Sequence, residues 1–300
     1  MIHATLGLEL RDTAAVAVAV DDRGQVLARA EVDHDADPSA AALAALDRVA
    51  AASPGPALLG VASTSPDSVA TLGLLESLPK RYAGPFLREA VLSSGTAAAV
   101  AEGWIGAARG VRDVVYFAVA DHATAGIVRD GLPSTGAHRR APAIAWLALN
   151  PVEREDYRKI GCLEAEVAAA GIVRRLIWRI KAGDRSRVQD LVKGDLAAIT
   201  LQEILEAARQ GDGVSISVVR DTAKYLGMAA ANLVAIADPE MLVIGGIMAA
   251  AADLLLEPVR TELARRLPAP VLHTLAVAPA ELGADAAAIG AARLAAAALQ

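Results

Sequence analysis

Two adjacent glycines late in the chain, Gly245 and Gly246, are well placed to contact a ligand through the backbone. They follow Met241–Ile244, an apolar run that predicts a buried strand. Glycine at such a strand-to-helix turn lets the main chain approach a ligand closely, and the first N–H groups of the next helix favour an anion. This arrangement suits a nucleotide. An ordinary strand-to-helix turn is the competing interpretation, because a Gly-Gly pair alone has low specificity.

The elements that must position this turn alternate between strands and helices in two similar series, each starting with hairpin strands. The predicted strands are Ile2–Leu8, Ala14–Val20, Gln25–Val32, Leu58–Ala62, Ala90–Ser93, Val114–Ala120, Thr124–Arg129, the run into Gly245, and Leu272–Val277. The predicted helices are Ser39 to Ala52, Thr96 to Ile105, Cys162 to Lys181, one capped by Thr200 and Glu203, Ser217–Ala237, one through Ala264, and Asp285–Ala298. This order predicts two related α/β halves that face a cleft.

Composition excludes several classes of protein. Hydrophobic residues make up 54% of the 300, but many are alanine, and no uninterrupted apolar run reaches the roughly 18 residues that a membrane span requires. A single cysteine, Cys162, excludes a disulfide within the chain and fits a reducing cytoplasm. A net charge of −6 argues against a general nucleic-acid binder. We therefore expect a cytoplasmic protein with neither membrane nor nucleic acid as a partner.

Several short segments, in order along nearly the whole chain, resemble the ROK (repressor, open reading frame, kinase) family. The segments that carry the resemblance are Gly7–Thr13, Ala97–Glu102 with Gly106, Gly161–Glu164, Tyr225–Gly227, Asn232–Val234, Pro239–Gly246, Leu282-Gly283 and Gly290–Ala292. The resemblance implies a two-domain, actin-like (ribonuclease H-like, ASKHA) α/β sugar-kinase fold. It implies a small domain of residues 1–112 plus 285–300, a large domain of residues 113–284, and a homodimer.

The resemblance also implies roles for individual residues. Thr13, Gly245 and Gly246 would lie on the nucleotide side, and Glu164 would contact sugar hydroxyls. Glu164 has an alternative role, because an acid near the start of a helix interacts favourably with the helix dipole. Trp146 is expected to pack where the family has a metal-organised loop, and stacking on a sugar face is its alternative role.

Other positions depart from the family pattern. The aspartate that accepts the sugar proton in the family corresponds to Ser94, and losing a general base typically costs about 10²–10⁴-fold in rate. Ser93 and Ser94 are interpreted as a strand end and a helix cap. Two hairpin glycines that approach phosphates correspond to Arg11 and Asp12, which we interpret as a solvated turn. Arg11 could also supply a phosphate contact.

The remaining family motifs are also incomplete. The glycine-rich hinge loop is replaced by Ala120–Thr124, in which Asp121 and His122 are interpreted as a turn or surface pair. Ala143 stands at the position of a sugar-binding glutamate. The zinc motif retains only Cys162 and lacks its histidine, so no zinc site is expected.

Three functional hypotheses follow. The first is a non-catalytic sugar-kinase-like protein (a pseudokinase) that acts by binding a sugar or nucleotide, or by assembly. The second is an active ATP- and Mg-dependent hexose or amino-sugar kinase with relocated catalytic residues, in which Glu9 provides an acid and Asp12, Asp67 or Asp121 acts as the base. The third is a purely structural or regulatory homodimer. We favour the first, in which no residue is assigned a catalytic role and no cofactor is certain.

Overall fold

The computed structural model describes residues 4–51, 58–78, 82 and 91–297, whose strands form two five-stranded sheets. The first sheet has the order β3-β2-β1-β4-β5 and the second β10-β9-β6-β7-β8. The strands of the first sheet are β1 (Thr5–Leu10), β2 (Ala14–Val20), β3 (Val26–Asp33), β4 (Leu59–Ser63) and β5 (Leu92–Ser93). Those of the second are β6 (Val114–Val119), β7 (Ala123–Arg129), β8 (Leu132–Pro133), β9 (Met241–Gly246) and β10 (Ala276–Pro279).

The two sheets share a pattern of antiparallel and parallel pairing. In the first, β1 pairs antiparallel with β2 and parallel with β4, which brings Leu10 opposite Ser63. In the second, β6 pairs antiparallel with β7 and parallel with β9, which brings Val119 opposite Gly246. The carboxyl ends of the parallel strands therefore meet at one edge of each sheet, where α/β proteins commonly bind ligands.

Helices connect and cover these sheets. They are α1 (Pro38–Ala50), α2 (Val69–Ser77), α3 (Ser94–Trp104), α4 (Glu155–Ile160), α5 (Cys162–Val167), α6 (Ala169–Lys181), α7 (Arg187–Leu191), α8 (Leu201–Arg209), α9 (Gly213–Ala237), α10 (Ile247–Ala250), α11 (Ala252–Arg266), α12 (Ala269–Thr274) and α13 (Ala286–Ala297). The chain is thus a mixed α/β protein with the actin-like fold that the sequence predicts. In the part of the chain that is described, no helix is both long and apolar enough to cross a membrane.

Helix α13 packs unusually close to its neighbours, because small residues line the contact. A Cβ atom on Gly60 of β4 would lie 1.9 Å from the carbonyl oxygen of Ala291. A Cβ atom on Gly290 would lie 1.8 Å from the carbonyl oxygen of Ala97 in α3. Neither distance is possible for a real Cβ atom, so only glycine permits this packing. The last helix therefore completes the core of the first sheet.

A second core surrounds the other sheet. Phe117 of β6 and Leu242 of β9 are fully buried on it, and Leu163 of α5 and Leu226 of α9 pack in the same apolar cluster. Side chains of this size each contribute roughly 1.5–3 kcal/mol on burial. The two sheets are thus each supported by an apolar cluster, and they can hold the residues at their facing edges in place.

Two predicted elements are wrong in part. The predicted helix from Cys162 to Lys181 is interrupted at Ala168, whose ψ of 157° is extended, and the N–H of Ala169 donates to the carbonyl of Ala120 at 3.1 Å. The predicted strand Leu272–Val277 begins only at Ala276, because residues 269–274 form α12 after Pro268.

Other boundaries shift by a few residues. The helix predicted over Ser217–Ala237 starts at Gly213, where Asp212 caps it by accepting from the N–H of Ser215. The first helix is capped by Asp37, not Ser39, since the Asp37 carboxylate accepts from Ala40 N–H at 2.9 Å. The predicted ends at Ile2, Ala52, Ala90 and Ala298 lie outside the described residues.

Candidate functional site

A cavity of about 580 Å³ opens between the facing edges of the two sheets. We call this cavity the cleft. The turn from β1 to β2, the start of α3, the turn from β6 to β7, the end of β9 and the segment before α13 all contribute to its walls. The residues that line it are Glu9, Arg11, Asp12, Thr13, Thr64, Ser94, Ala98, Tyr116, Ala118, Val119, Ala120, Asp121, His122, Thr124, Gly246, Ala249, Ala250, Ala280, Gly283, Ala284, Ala286 and Ala287. Its volume is in the range of small-molecule sites.

The structure brings only some of the predicted binding residues to the cleft. Thr13 and Gly246 line it together. Glu164 lies just behind its wall and contacts the lining residue His122, whereas Gly245 is not among the lining residues. Trp146 is 57% exposed and also does not line the cleft. The expectation that Trp146 packs where the family has a metal-organised loop is therefore wrong in part, because more than half of this residue is exposed.

Packing explains both glycines at the end of β9. Gly246 has a φ of +63°, and a Cβ atom there would lie 2.0 Å from the carbonyl oxygen of Val119. A Cβ atom on Gly245 would lie 2.5 Å from the hydroxyl of Tyr116. Helix α10, which follows, has a single turn of four residues. The Gly-Gly pair is thus required for the fold at this strand end, and contact with a nucleotide remains a prediction.

His122 joins the two hairpin turns across the cleft. Its Nε2 atom lies 2.7 Å from Oδ2 of Asp12, and its Nδ1 atom lies 3.1 Å from Oε1 of Glu164. The other oxygen of Glu164 accepts from the N–H of Ala123 at 2.9 Å. We call Asp12, His122 and Glu164 the cross-turn bridge. Both ring nitrogens face carboxylates, so both must donate, and this requires the charged imidazolium form.

The electrostatics agree with this geometry. The hydrogen bond to Glu164, supported by Asp12 and opposed by burial, raises the pKa of His122 to about 9. Burial alone would raise the pKa of Asp12, but the hydrogen bond and charge of His122 outweigh it and the Thr64 hydroxyl adds to their effect, so the pKa of Asp12 is lowered. At neutral pH His122 therefore carries a positive charge between two carboxylates. The interpretation of Asp121 and His122 as a surface or turn pair missed this role of His122.

Arg11 is also held by internal partners. Its Nε atom donates to the buried carboxylate of Glu9 at 2.8 Å, and another nitrogen donates to the carbonyl of Ala284. A third contact reaches Glu31 at 3.8 Å. The interpretation of Arg11 and Asp12 as a solvated turn is therefore wrong for the side chain of Arg11, whereas that of Asp12 is 55% exposed. The backbone does turn there, but both side chains form ion pairs with residues from other elements.

Ser94 begins helix α3 at the wall of the cleft. Its neighbour Ser93 caps the helix by accepting from the N–H of Thr96 at 3.3 Å, which confirms the predicted strand end and helix cap at this point. Ser94 is 7% exposed, and its hydroxyl has no hydrogen-bond partner among the described residues. An unsatisfied buried hydroxyl costs about 1–3 kcal/mol, so a ligand that bonded to it would remove a penalty.

Tyr116 is a lining residue that the sequence reasoning missed. Burial, together with the nearby charges of Glu102 and Glu9, raises the pKa of its phenol, so the hydroxyl stays neutral. Tyr116 lies in the middle of β6, a continuous apolar run that is buried throughout, so nothing in the sequence marks it as a lining residue.

Cys162, the remnant of the predicted zinc motif, is buried beside Tyr157 and Ala165. Among the described residues, no group of three or more His, Cys, Asp or Glu side chains is arranged to hold a metal ion. The absence of a zinc site remains a prediction, because it follows from the missing ligands in the sequence.

The chain matches a known protein family along nearly its whole length. The model of the ROK family matches residues 5–298. A glucokinase of Halalkalibacterium halodurans is 32% identical over 165 residues, which cover 54% of this chain and 50% of that protein. The chain thus matches about half the length of this relative.

Two solved structures show the same fold. A ROK family transcriptional regulator, a homolog of the E. coli MLC protein, superposes with a TM-score of 0.81 at 21% identity, covering 99% of this chain and 78% of that one. A ROK family glucokinase from Streptomyces griseus, solved with glucose and AMPPNP, gives a TM-score of 0.75 at 22% identity. The superposition covers 97% of this chain and 98% of that one. With the family match along nearly its whole length, this chain belongs to the ROK family and has a sugar-kinase-like fold.

Proposed function

We propose that this protein is a non-catalytic member of the ROK family that binds a small ligand in the cleft without transferring phosphate. The residue that carries the proposal is Ser94, which by the family resemblance corresponds to the family's proton acceptor. Phosphoryl transfer depends on positioning, on stabilising charge and on a group that accepts the hydroxyl proton. A serine hydroxyl cannot hold that proton at neutral pH.

The acids near the cleft are poor replacements for the missing base. The carboxylate of Glu9 is paired with Arg11, and those of Asp12 and Glu164 are paired with His122. Each of these carboxylates is therefore already engaged by a charged hydrogen-bond donor. Asp121 lines the cleft and takes part in none of these three pairs. Among the lining residues, it is the remaining candidate base for an active kinase.

The charge of the cleft opposes a nucleoside triphosphate. Two lining side chains are cations, Arg11 and the protonated His122, and three are acids, Glu9, Asp12 and Asp121. The balance is −1, and both cations already have carboxylate partners. A polyphosphate would therefore enter a site with no unpaired positive charge among its lining side chains. ATP is therefore a poor fit for these residues.

The hydroxyl groups of the cleft suit an uncharged, hydroxyl-rich ligand such as a sugar. Thr13, Thr64, Thr124, Tyr116 and Ser94 all line the cavity. Hydroxyl groups both donate and accept hydrogen bonds, so they can match a polyol without paired charges. The Ser94 hydroxyl differs from the others in that its oxygen is buried at the wall of the cavity with no hydrogen-bond partner among the described residues.

The domain division, the oligomeric state and the location of the protein are also proposals. We propose a small domain of residues 1–112 with 285–300, because α13 packs on β1 and β4, and a large domain of residues 113–284. We also propose a homodimer located in the cytoplasm, as the family resemblance and the single cysteine predict.

Calorimetry and thermal shift with a panel of hexoses and amino sugars test the binding proposal. A ligand at 100 times its dissociation constant should add about 2.7 kcal/mol to the free energy of unfolding. Ser94→Ala should weaken the binding, whereas Ser215→Ala is a matched control, since Ser215 is also buried with an unpartnered hydroxyl but does not line the cleft. If no sugar in the panel binds, the proposal fails and a purely structural protein is favoured.

A kinase assay tests the non-catalytic part. The same sugars are incubated with ATP, ADP or polyphosphate as donor. We expect turnover at background, unchanged in Asp121→Asn. Turnover above background that is lost in Asp121→Asn but kept in Asp67→Asn would establish the relocated kinase and refute the proposal.

A further inference from the structure

The two hairpin turns meet through one side-chain contact at the solvent edge of the cleft. Asp12 lies in the turn between β1 and β2, and His122 lies in the turn between β6 and β7. The side chain of Asp12 is 55% exposed, that of His122 is 29% exposed and that of Glu164 is 11% exposed. The contact therefore begins at the exposed Asp12 of the first hairpin turn and ends at the nearly buried Glu164, on the side of the second sheet.

We propose that the cross-turn bridge is a pH-sensitive latch that holds the two turns together and limits access to the cleft. The inference rests on the proposed function only where it concerns a ligand, because the latch itself is a property of the free protein. It extends that function by identifying a group that regulates the opening of the site.

The chemistry of the latch follows from the two nitrogens of one ring. The imidazolium donates one hydrogen bond to each carboxylate, whereas neutral imidazole has a single N–H. Loss of the proton therefore breaks one of these hydrogen bonds and leaves a nitrogen lone pair facing the carboxylate that had accepted it. That arrangement is repulsive, so the turns would separate.

Few other charges face the latch. Arg11 and His34 lie on the side of Asp12, where Nε2 of His34 is 3.2 Å from the carbonyl oxygen of Arg11. Asp121 precedes His122 in the chain, and the Thr64 hydroxyl donates to Asp12 at 2.9 Å. None of these four groups replaces the second hydrogen-bond donor that His122 supplies to the bridge.

The two ends of the latch set a pH range in which it is closed. The pKa of His122 is raised to about 9, so the ring stays charged at neutral pH and loses its proton as the pH rises through 9. The pKa of Asp12 is lowered, so its carboxylate stays charged to a lower pH than that of an ordinary aspartate. The latch is therefore closed from mildly acidic to mildly alkaline pH and opens on both sides of that range.

The titration of His122 is the first test. In the NMR spectrum of the full chain, the ring resonance that disappears in His122→Gln should titrate near pH 9 in the wild type. It should titrate at lower pH in Glu164→Gln and in Asp12→Asn. A midpoint near the unperturbed value of about 6.5 in the wild type would overturn the proposal.

A distance measurement between the two halves is the second test. Spin labels at the exposed positions Asp35→Cys and Gln202→Cys report on the separation of the halves without any ligand, and the native Cys162 is buried. We expect a narrow distribution at pH 7 and a longer or broader one at pH 10. His122→Gln should show the broader distribution already at pH 7.

Asp67→Asn is the matched control, because Asp67 also joins distant parts of the chain through an ion pair of 2.9 Å with Arg140 but does not line the cleft. Its distribution should equal that of the wild type. An identical distribution at pH 7 and pH 10 in the wild type would refute the latch. Since no ligand is used, this outcome is distinct from failure of the binding proposal.

Discussion

A buried glutamate on α3 provides a sharp test of how the first sheet is assembled. Glu102 is fully buried, and one of its oxygens accepts from the N–H of Ala107 at 2.8 Å. The other accepts from the N–H groups of Glu281 and Leu282 at 3.1 and 3.0 Å. One carboxylate thus joins the end of α3 to the segment that leads into α13.

Replacement of Glu102 by alanine would leave these three N–H groups without their acceptor. A hydrogen bond to a charged group contributes about 1.5–3 kcal/mol, and each unsatisfied buried donor costs about 1–3 kcal/mol. Contributions within one network are not additive, so we expect a loss of about 3–5 kcal/mol for Glu102→Ala. This is a large part of a typical unfolding free energy of about 5–15 kcal/mol.

Urea denaturation followed by circular dichroism measures the effect. Glu102→Gln keeps one acceptor oxygen but presents an NH₂ group to the other donors, so it should lose a smaller amount, about 1–2 kcal/mol. Glu155→Ala is the control, because Glu155 is a helical glutamate that is 84% exposed and pairs with the exposed Lys159. It should change stability by less than about 0.5 kcal/mol. A Glu102→Ala protein within about 1 kcal/mol of the wild type would refute the reasoning.

Three further predictions follow from other features. Gly290→Ala places a Cβ atom 1.8 Å from the carbonyl of Ala97, so the variant should lose more than about 2 kcal/mol by urea denaturation or fail to accumulate in soluble form. Because the folded pKa of His122, about 9, exceeds its unfolded value of 6.5, its stabilisation is fully present below pH 6.5 and is lost as pH rises through 9. Partial exposure reduces this contribution to about 1 kcal/mol, and thermal melts from pH 6 to pH 10 should show the decline in the wild type but not in His122→Gln. Trp146→Ala should change stability by less than about 0.5 kcal/mol in the same melts, since the residue is 57% exposed.

The hairpins were predictable because their turns carry local signals. The polar residues Asp21 to Gly24 and the pair Asp130-Gly131 interrupt apolar runs, and the structure has turns at both points. The cap at Ser93 was predictable for the same reason, since a serine before a helical run is a local feature.

Tertiary contacts explain the parts that the sequence did not reveal. Nothing in the composition around Ala168 marks a break, which depends on the bond from Ala169 to the distant carbonyl of Ala120. The cross-turn bridge joins Asp12 and His122, which are 110 positions apart in the chain. No periodicity or spacing reports a contact of that kind, so the cleft was predicted while its most specific ion pair was not.

The position of α13 has a consequence for how the protein is made. Residues of this helix fill the space between β1, β4 and α3, although those elements are synthesised first. A nascent chain on the ribosome therefore carries an unfinished first sheet, with the face that α13 covers unprotected, until residues 286–297 emerge. The second sheet receives its supporting helices earlier in translation, so the downstream half of the molecule is able to mature before the upstream half.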